Sequence, residues 1–481
     1  MKRLFSFIIL FMMLLAAAGC GGGSSGGGGG AVSYGGSTVS LTPDPATTPV
    51  QVSGLQPPIA VIMNLHMDPV GTMGATEARL KEYATHRQAF LWLKEQAGRQ
   101  KFKISAECTG LYAEFAVKNG HEADFSEFMP GRYHILGTHT HSHYKGDADT
   151  GQDYHWTEDP GHSAATADKI FTDQIGMVNQ IFTRQGFKET DNALFHGSQS
   201  HSADMASSMG TPPNSNSYPN FFTTIEGQRR LYHPYRSGAE TDVIQGKEDL
   251  SQPFIAVPTS SALFGYNEVH GAEGMLQGTL PYVQRDFVLE FLEWRYYQNH
   301  GLPARPWVFG IDEHPYQIMS QCIGSDGKPV QETLPLFYEW LNTNFIGSAS
   351  QYATITDVSN AYKTWEQLHP GELLYPPAGT GKIVADLKII ELYRRLFAGE
   401  KSCFLVRHYD TDSVRVFEFA NDQGARHAVY YTDDPARISS TLDLSSSLSG
   451  AYHLISLSGS SGEASLSSLP VTQDPQLLSP R

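Results

Sequence analysis

The chain has 481 residues, of which 40% are hydrophobic and 11% aromatic, enough apolar material for the sizeable cores of two or three domains. Its formal net charge of −16 at neutral pH argues against partners such as nucleic acid or anionic lipid surfaces. Only four cysteines occur, and one of them is assigned to a lipid below, so disulfide bonds are not the scaffold.

The first 20 residues have the pattern of an export signal. Lys2 and Arg3 precede an apolar run at Leu4 to Leu15, which is followed by small residues and Cys20. This pattern resembles the lipobox of bacterial lipoproteins, which implies a signal peptide at 1–19, cleavage before Cys20 and acylation of its thiol. Gly21 is not the aspartate that usually retains such lipoproteins at the inner membrane. We therefore expect a lipid-anchored envelope protein, at the outer membrane, on its periplasmic or surface face.

Residues 20–54 are rich in Gly, Ser and Pro, a composition typical of a flexible tether. Beyond the tether, short apolar runs predict strands and apolar residues at helical spacing predict helices. In chain order we predict strand Ile59–Leu65, helix Thr76–Gln100, strand Lys101–Glu107, helix Leu111–Lys118, strand Tyr133–Gly137, helix Ala164–Gln185, strand Ala193–Phe195, strand Phe254–Val257, helix Tyr282–Gln298, strand Trp307–Ile311, helix Thr333–Asn342, strand Tyr352–Ile355 and helix Thr356–Glu366.

Strands that alternate with helices over 55–368 predict an α/β fold with a parallel sheet that is closed, or nearly closed, into a barrel. A connector at 369–400 contains a predicted helix at Gly381 to Phe397. From 401 to 481 the pattern changes to alternating strands separated by Asp, Gly and Ser turns, which predicts a C-terminal β-sandwich.

Histidines and carboxylates cluster where the predicted strands end. His139, His141 and His143 follow one strand, and Asp68 follows another. Neutral imidazoles and carboxylates are ligands for zinc or a similar divalent metal. The carboxyl ends of parallel strands build the active sites of such folds, so we expect these side chains to converge on one ion.

The segment from Gly137 to His143 resembles the second motif of NodB-type polysaccharide deacetylases, carbohydrate esterase family four. That resemblance implies a deformed (β/α) barrel and a divalent metal, zinc above all, held by Asp68, His139 and His143. It also implies that His314 is the general acid that protonates the leaving amine, with Asp312 as the residue that orients it.

The chain departs from that family in two motifs. Met67 stands where the family has its catalytic base, so His66 is the replacement base, an extra metal ligand, or the base is missing. The arginine of the family's third motif is absent after the strand that ends at His196, and Arg236 is a candidate substitute. We predict substrate contacts for His141, His196, Arg236 and Trp156.

The function implied is metal-assisted removal of N-acetyl groups from an envelope or secreted polysaccharide. A second hypothesis is a glycoside hydrolase on a barrel of the same superfamily, with Asp312, Glu313 or Asp68 as its acid or nucleophile. A third is a carbohydrate-binding or matrix lipoprotein without activity, which the methionine at position 67 favours. The histidine triplet discriminates between the first two, because a glycosidase that works with two carboxylates does not need it.

Overall fold

The computed structural model describes residues 55–67, 76–139, 144–147, 152–156, 164–192, 194–196, 215–218, 233–236, 248–251, 255–258, 267–269, 275–277, 279–320, 328–374, 403–421, 423–456 and 461–481. The predicted signal peptide, Cys20, the predicted tether and the predicted connector helix at 381–397 lie outside these residues. Among the described residues, no helix is long and apolar enough to cross a lipid bilayer.

The described residues before 375 form the strands and α-helices that follow. The strands are β1 Ile59–Met67, β2 Ile104–Thr109, β3 Ile135–His139, β4 Tyr144–Asp147, β5 Gln152–Trp156, β6 Leu194–His196, β7 Ser215–Tyr218, β8 Tyr235–Arg236, β9 Ile255–Pro258, β10 Asn267–Val269, β11 Met275–Gln277, β12 Val308–Glu313 and β13 Ser350–Ala353. The α-helices are α1 Thr76–Gln100, α2 Gly110–Lys118, α3 Ala164–Arg184, α4 Leu280–Asn299, α5 Pro315–Ser320, α6 Val330–Asn344 and α7 Ile355–Leu368.

Nine of these strands form one sheet. Eight of them follow the order β12-β1-β2-β3-β6-β7-β9-β8. The ninth, β13, pairs with the first residues of β1, whereas β2 pairs with its last residues. Every pairing in it is parallel except that of the short edge strand β8 with β9. The α/β prediction with a parallel sheet is therefore confirmed. Among the described strands no hydrogen-bonded pair joins β12 to β8 or β9, so closure into a barrel stays a prediction.

The two faces of the sheet differ, and β1 shows how. Its odd-numbered residues from Ile59 to Met67 belong to the large apolar core that also contains residues of α1, α4 and α6. Its even-numbered residues face the other way, where Ala60 and Ile62 join a second apolar core and the next two are Asn64 and His66. Because side chains alternate along a strand, this inner face changes from apolar to polar toward the C-terminal end of β1.

Observed strands extend past their predicted ends wherever polar residues follow the apolar run. β1 ends at Met67 instead of Leu65, β3 at His139 instead of Gly137, and β12 at Glu313 instead of Ile311. The sequence pattern places these polar residues in loops, since strand interiors are usually apolar. In the structure they are buried members of the sheet, which fixes their directions more firmly than a loop would.

The C-terminal part forms an antiparallel sheet in the order β14-β15-β16-β21-β18-β19, with a separate ribbon of β17 and β20. Its strands are β14 Phe404–Thr411, β15 Val414–Ala420, β16 Arg426–Thr432, β17 Thr441–Leu442, β18 Tyr452–Ser456, β19 Ser461–Ala464, β20 Leu469–Pro470 and β21 Gln476–Pro480. Leu442 and Leu469 of the ribbon share an apolar core with one face of the sheet. This two-layer arrangement agrees with the predicted sandwich.

The other face of the antiparallel sheet packs on the α/β part. Phe417 and Tyr431 belong to the same apolar core as Phe291 of α4. Arg295 of α4 places its guanidinium 3.8 Å from the ring centroid of Tyr431 and donates hydrogen bonds to the Thr432 and Gln473 carbonyls. The sandwich therefore shares a core with the α/β part.

Candidate active site

Five polar side chains meet on the inner face of the parallel sheet, and we call them the inner-face cluster: Asn64, His66, Glu107, His139 and Asp312. Register explains the meeting, because His66 pairs with Glu107 on β2 and Asn64 pairs with Asp312 on β12. His139, the last residue of β3, pairs with Thr109, which is two residues after Glu107 on β2. Because side chains alternate along a strand, His139 therefore lies on the same face of the sheet as Glu107. All five are buried, and four of them have no exposed surface at all.

The centre of the cluster is Nε2 of His66. It lies 2.9 Å from Oε2 of Glu107, 3.5 Å from Oδ1 of Asp312 and 2.7 Å from Nδ2 of Asn64. The same Nδ2 lies 3.2 Å from the glutamate oxygen and 3.4 Å from the aspartate oxygen. The ring of His139 stacks on that of His66 with 4.5 Å between centroids. Two carboxylates and two imidazoles therefore occupy a very small volume.

A cation would suit the charges in this volume. Removing a carboxylate from water costs several kcal/mol unless positive charge and hydrogen bonds replace the water. Glu107 and Asp312 are both completely buried. Within the inner-face cluster, positive charge can come only from protonation of His66 or His139. A divalent cation would balance both carboxylates and leave the imidazoles neutral.

Three members of the cluster fit such an ion. His66, Glu107 and His139 each offer one ligand atom, and these atoms all lie within 4.8 Å of one another. Two imidazole nitrogens and one carboxylate oxygen are a donor set that catalytic zinc uses, and tetrahedral zinc then keeps one position for water. By donor chemistry, a zinc-type ion fits these residues, and each ligand comes from a different strand.

His314 stands next to the cluster, directly after β12. Its ring lies 5.2 Å from that of His66, at nearly a right angle. Oε1 of Gln317 accepts a hydrogen bond from the backbone N–H of His314 at 2.7 Å and lies 2.8 Å from its Nδ1. Gln317 is buried, so this contact is shielded from water. Asp312, which we expected to orient His314, lies within 3.5 Å of Asn64 and His66.

The structure thus brings together four of the predicted site residues: His66, His139, Asp312 and His314. Three others, Asp68, His141 and His143, lie outside the described residues, so their predicted roles stay predictions. The side chains of His196 and Trp156 are likewise not described, although His196 ends β6 in register with His139 and Trp156 pairs with Tyr144 in a two-stranded ribbon.

Arg236 is not brought to the cluster. Its Nε and Nη2 donate to both carboxylate oxygens of Glu366 on α7, at 2.6 and 2.8 Å. Its register partner is Ile255, the first residue of β9, whereas His66 is next to last in β1 and His139 is the last residue of β3. This bidentate ion pair, which raises the pKa of the Arg236 guanidinium, gives the residue a structural role away from the cluster.

Glu107, Asn64 and Gln317 are contributors that the sequence analysis missed. Glu107 ends a predicted strand, where a lone carboxylate after an alternating segment reads as the start of a loop. One sequence feature could have identified Glu107: like His66 and Asp312, it directly follows an apolar residue at the end of a strand. Glu313 lies on the other face of β12, because it pairs with Leu65 of the helix-facing core. The pKa of Tyr338 on α6 is raised mainly by burial, and the nearby Tyr352 and Glu313 raise it further.

Gly137 allows β3 and β6 to approach each other closely. A Cβ at this position would lie 2.5 Å from Cγ and 2.7 Å from the carbonyl oxygen of Leu194, too close for any side chain. Because backbone is among the atoms contacted, the strands would have to separate. The glycine is therefore needed for the position of β3, which carries His139 two residues later.

The chain was compared with known proteins. No family model matches it, and no curated protein does. Among solved structures it is similar to a probable polysaccharide deacetylase from Pseudomonas aeruginosa PAO1, with 13% identity over 65% of this chain and 93% of that chain and a TM-score of 0.40. It is also similar to Puue allantoinase, with 13% identity over 71% of this chain and 100% of that chain and a TM-score of 0.41. A likeness at this level does not establish an activity, so the chemistry of the cluster is what bears on function.

Proposed function

We propose that this chain is a metal-dependent hydrolase that removes N-acetyl groups from an envelope or secreted polysaccharide. The observation that carries the proposal is the buried set of His66, Glu107 and His139, whose ligand atoms lie within 4.8 Å of one another. When bound there, a zinc-type ion would lower the pKa of a coordinated water and stabilise the oxyanion of the acyl group. The substrate class comes from the resemblance of the Gly137 to His143 segment to the deacetylase motif.

The residues around the ion then have separate tasks. His66 is a ligand in this proposal, because its Nε2 lies among the carboxylates and its ring stacks on His139. Asn64 donates hydrogen bonds from its amide nitrogen to both carboxylates. Asp312 supplies negative charge that favours ion binding, and His314 handles the proton that reaches the departing amine.

Metal binding is the first test. Purified protein is loaded with zinc, and the bound zinc is quantified for wild type, His139→Ala and Glu107→Gln, with the exposed His453→Ala as matched control. We expect one ion per chain in wild type and control, and at least about tenfold weaker binding in both cluster variants. Equal zinc binding in all four proteins would rule out this ion site.

The reaction is the second test. Acetate release from N-acetylated glycans is measured for the same four proteins, with reducing ends measured in parallel. Glu107 and Asp312 both lie within 3.5 Å of one imidazole nitrogen, so the glycosidase alternative, which needs two carboxylates, is tested alongside. New reducing ends without acetate would favour the glycosidase. Bound zinc with neither product would favour the non-catalytic carbohydrate-binding protein.

The location is also a proposal. We propose that Cys20 carries lipid and that the catalytic part works beside the envelope, where a polysaccharide lies within reach of the tether. In cells fed labelled palmitate, we expect label in the wild-type protein and none in Cys20→Ala, which would then appear in a soluble fraction. Equal labelling of both proteins would exclude the anchor at Cys20.

A further inference from the structure

A helix cap holds His314 in place. α5 begins at Pro315, so His314 is the residue that caps its N-terminus and Gln317 is the third residue of the helix. The Gln317 side chain reaches back to the backbone N–H of His314 at 2.7 Å, while the Gln317 N–H donates to the His314 carbonyl at 3.0 Å. This is the glutamine half of a capping box, and the proline at the first position suits it.

The cap also decides which nitrogen of the imidazole carries hydrogen. A backbone N–H can only donate, so the Gln317 atom 2.7 Å from it is the oxygen. The same oxygen lies 2.8 Å from Nδ1 of His314, and at that distance Nδ1 must donate, because two acceptors would repel each other. In the neutral ring, Nδ1 therefore bears the proton and Nε2 has a lone pair.

We propose that Gln317 is a positioning residue that fixes His314 as the Nδ1–H tautomer and so makes Nε2 a proton acceptor beside the inner-face cluster. The inference rests on the proposed function for its catalytic meaning, and on the two hydrogen bonds for its geometry. It supplies the base that the sequence lacks at Met67, since that side chain belongs to the helix-facing core.

His314 alone can carry the proton in both steps of the proposed reaction. As the O–H bond of the attacking water breaks, its proton goes to Nε2 of His314 and the oxygen forms its bond to the acyl carbon. When the carbon–nitrogen bond then breaks, the same proton passes from Nε2 to the departing amine, which leaves acetic acid and a free amino group; the acetic acid then gives its acidic proton to the solvent. Gln317 stays bonded to Nδ1–H throughout, and no net proton is gained or lost by the ring.

Nitrogen NMR tests the tautomer directly. The metal-free protein is labelled with ¹⁵N-histidine and examined at pH 8, with His314→Asn used to assign the signals. We expect a protonated Nδ1 and an unprotonated Nε2 for His314 in wild type and in Gln317→Glu, which keeps the accepting oxygen. In Gln317→Leu, which removes it, we expect the signals to move toward the Nε2–H tautomer.

Two results would overturn the inference: an Nε2–H tautomer in wild type, or signals unchanged in Gln317→Leu. The wild-type measurement decides even where the leucine variant fails to fold. If acetate release is found, kcat of Gln317→Leu should fall at least about tenfold with KM within about twofold, whereas the exposed Gln331→Leu should match wild type. Because the tautomer is read without substrate or metal, an absence of acetate release would refute the proposed function and leave the positioning role intact.

Discussion

His134 should make the protein sensitive to acid, and the size of the effect follows from its surroundings. Its Nδ1 accepts a hydrogen bond from the Ile104 N–H at 3.0 Å, so it joins the start of β2 to the segment that enters β3. Burial, with smaller contributions from the charges of Lys94 and Lys103, lowers the pKa of His134 from 6.5 to about 3. The ring is therefore neutral in the folded protein at pH 5 and mostly protonated in the unfolded chain.

The sign follows from proton uptake. Below pH 6.5 the unfolded chain binds a proton that the folded protein refuses, so stability falls from pH 6.5 down to about pH 3 and is unaffected above that range. At pH 5, folded and unfolded pKa values of about 3 and 6.5 correspond to a loss of about 2 kcal/mol in the free energy of unfolding. His233, whose pKa burial also lowers to about 3, should add a similar loss.

The test compares urea unfolding at pH 8 and pH 5, followed by tryptophan fluorescence, for wild type and His134→Asn. Asparagine retains an acceptor for the Ile104 N–H but does not titrate in this range. We expect the loss of stability between the two pH values to be about 2 kcal/mol smaller in the variant. The exposed His453→Asn should behave like wild type. Equal losses in wild type and His134→Asn would refute the reasoning.

Three further predictions concern the two faces of the sheet and the sandwich. Gly137→Ala should lower the free energy of unfolding by about 2 kcal/mol and weaken zinc binding, because the new Cβ would force β3 from β6. Glu313→Gln should leave zinc affinity within about twofold of wild type, while Asp312→Asn should weaken it, since only the aspartate lies in the inner-face cluster. Arg295→Met should cost about 3 kcal/mol in urea unfolding, because its stacking on an aromatic ring and two carbonyl hydrogen bonds are lost.

Matched variants separate these effects from general damage. Gly176→Ala adds a Cβ where no atom lies within 4 Å, so it should be neutral or stabilising. Arg99→Met removes an exposed arginine and should change stability by less than about 0.5 kcal/mol. A zinc affinity that falls more in the Glu313 variant than in the Asp312 variant would contradict the assignment of faces.

Helical periodicity allowed the long elements to be predicted from sequence. The predicted helix at Thr76 to Gln100 has its observed bounds, and that at Ala164 differs by one residue at its end. The strands β7 Ser215–Tyr218 and β8 Tyr235–Arg236 were missed, because they are short and carry no apolar run. Such strands form because they pair with strands that are distant in sequence, and a local sequence pattern carries no information about that pairing.

The sequence singled out histidines of the candidate site, but it did not show which face of the sheet each side chain occupies. Motif matching aligned Met67 with the family's base and left its neighbour His66 without a clear role. The structure separates the two by the alternation of β1, which turns Met67 into the helix-facing core and His66 toward Glu107. The same alternation divides Asp312, which we expected to orient His314, from the adjacent Glu313, and only the aspartate lies in the inner-face cluster. Once one inner residue is known, parity assigns every other position on these strands. In the proposed reaction, the base expected at position 67 therefore comes from another element, and we assign it to the capped His314.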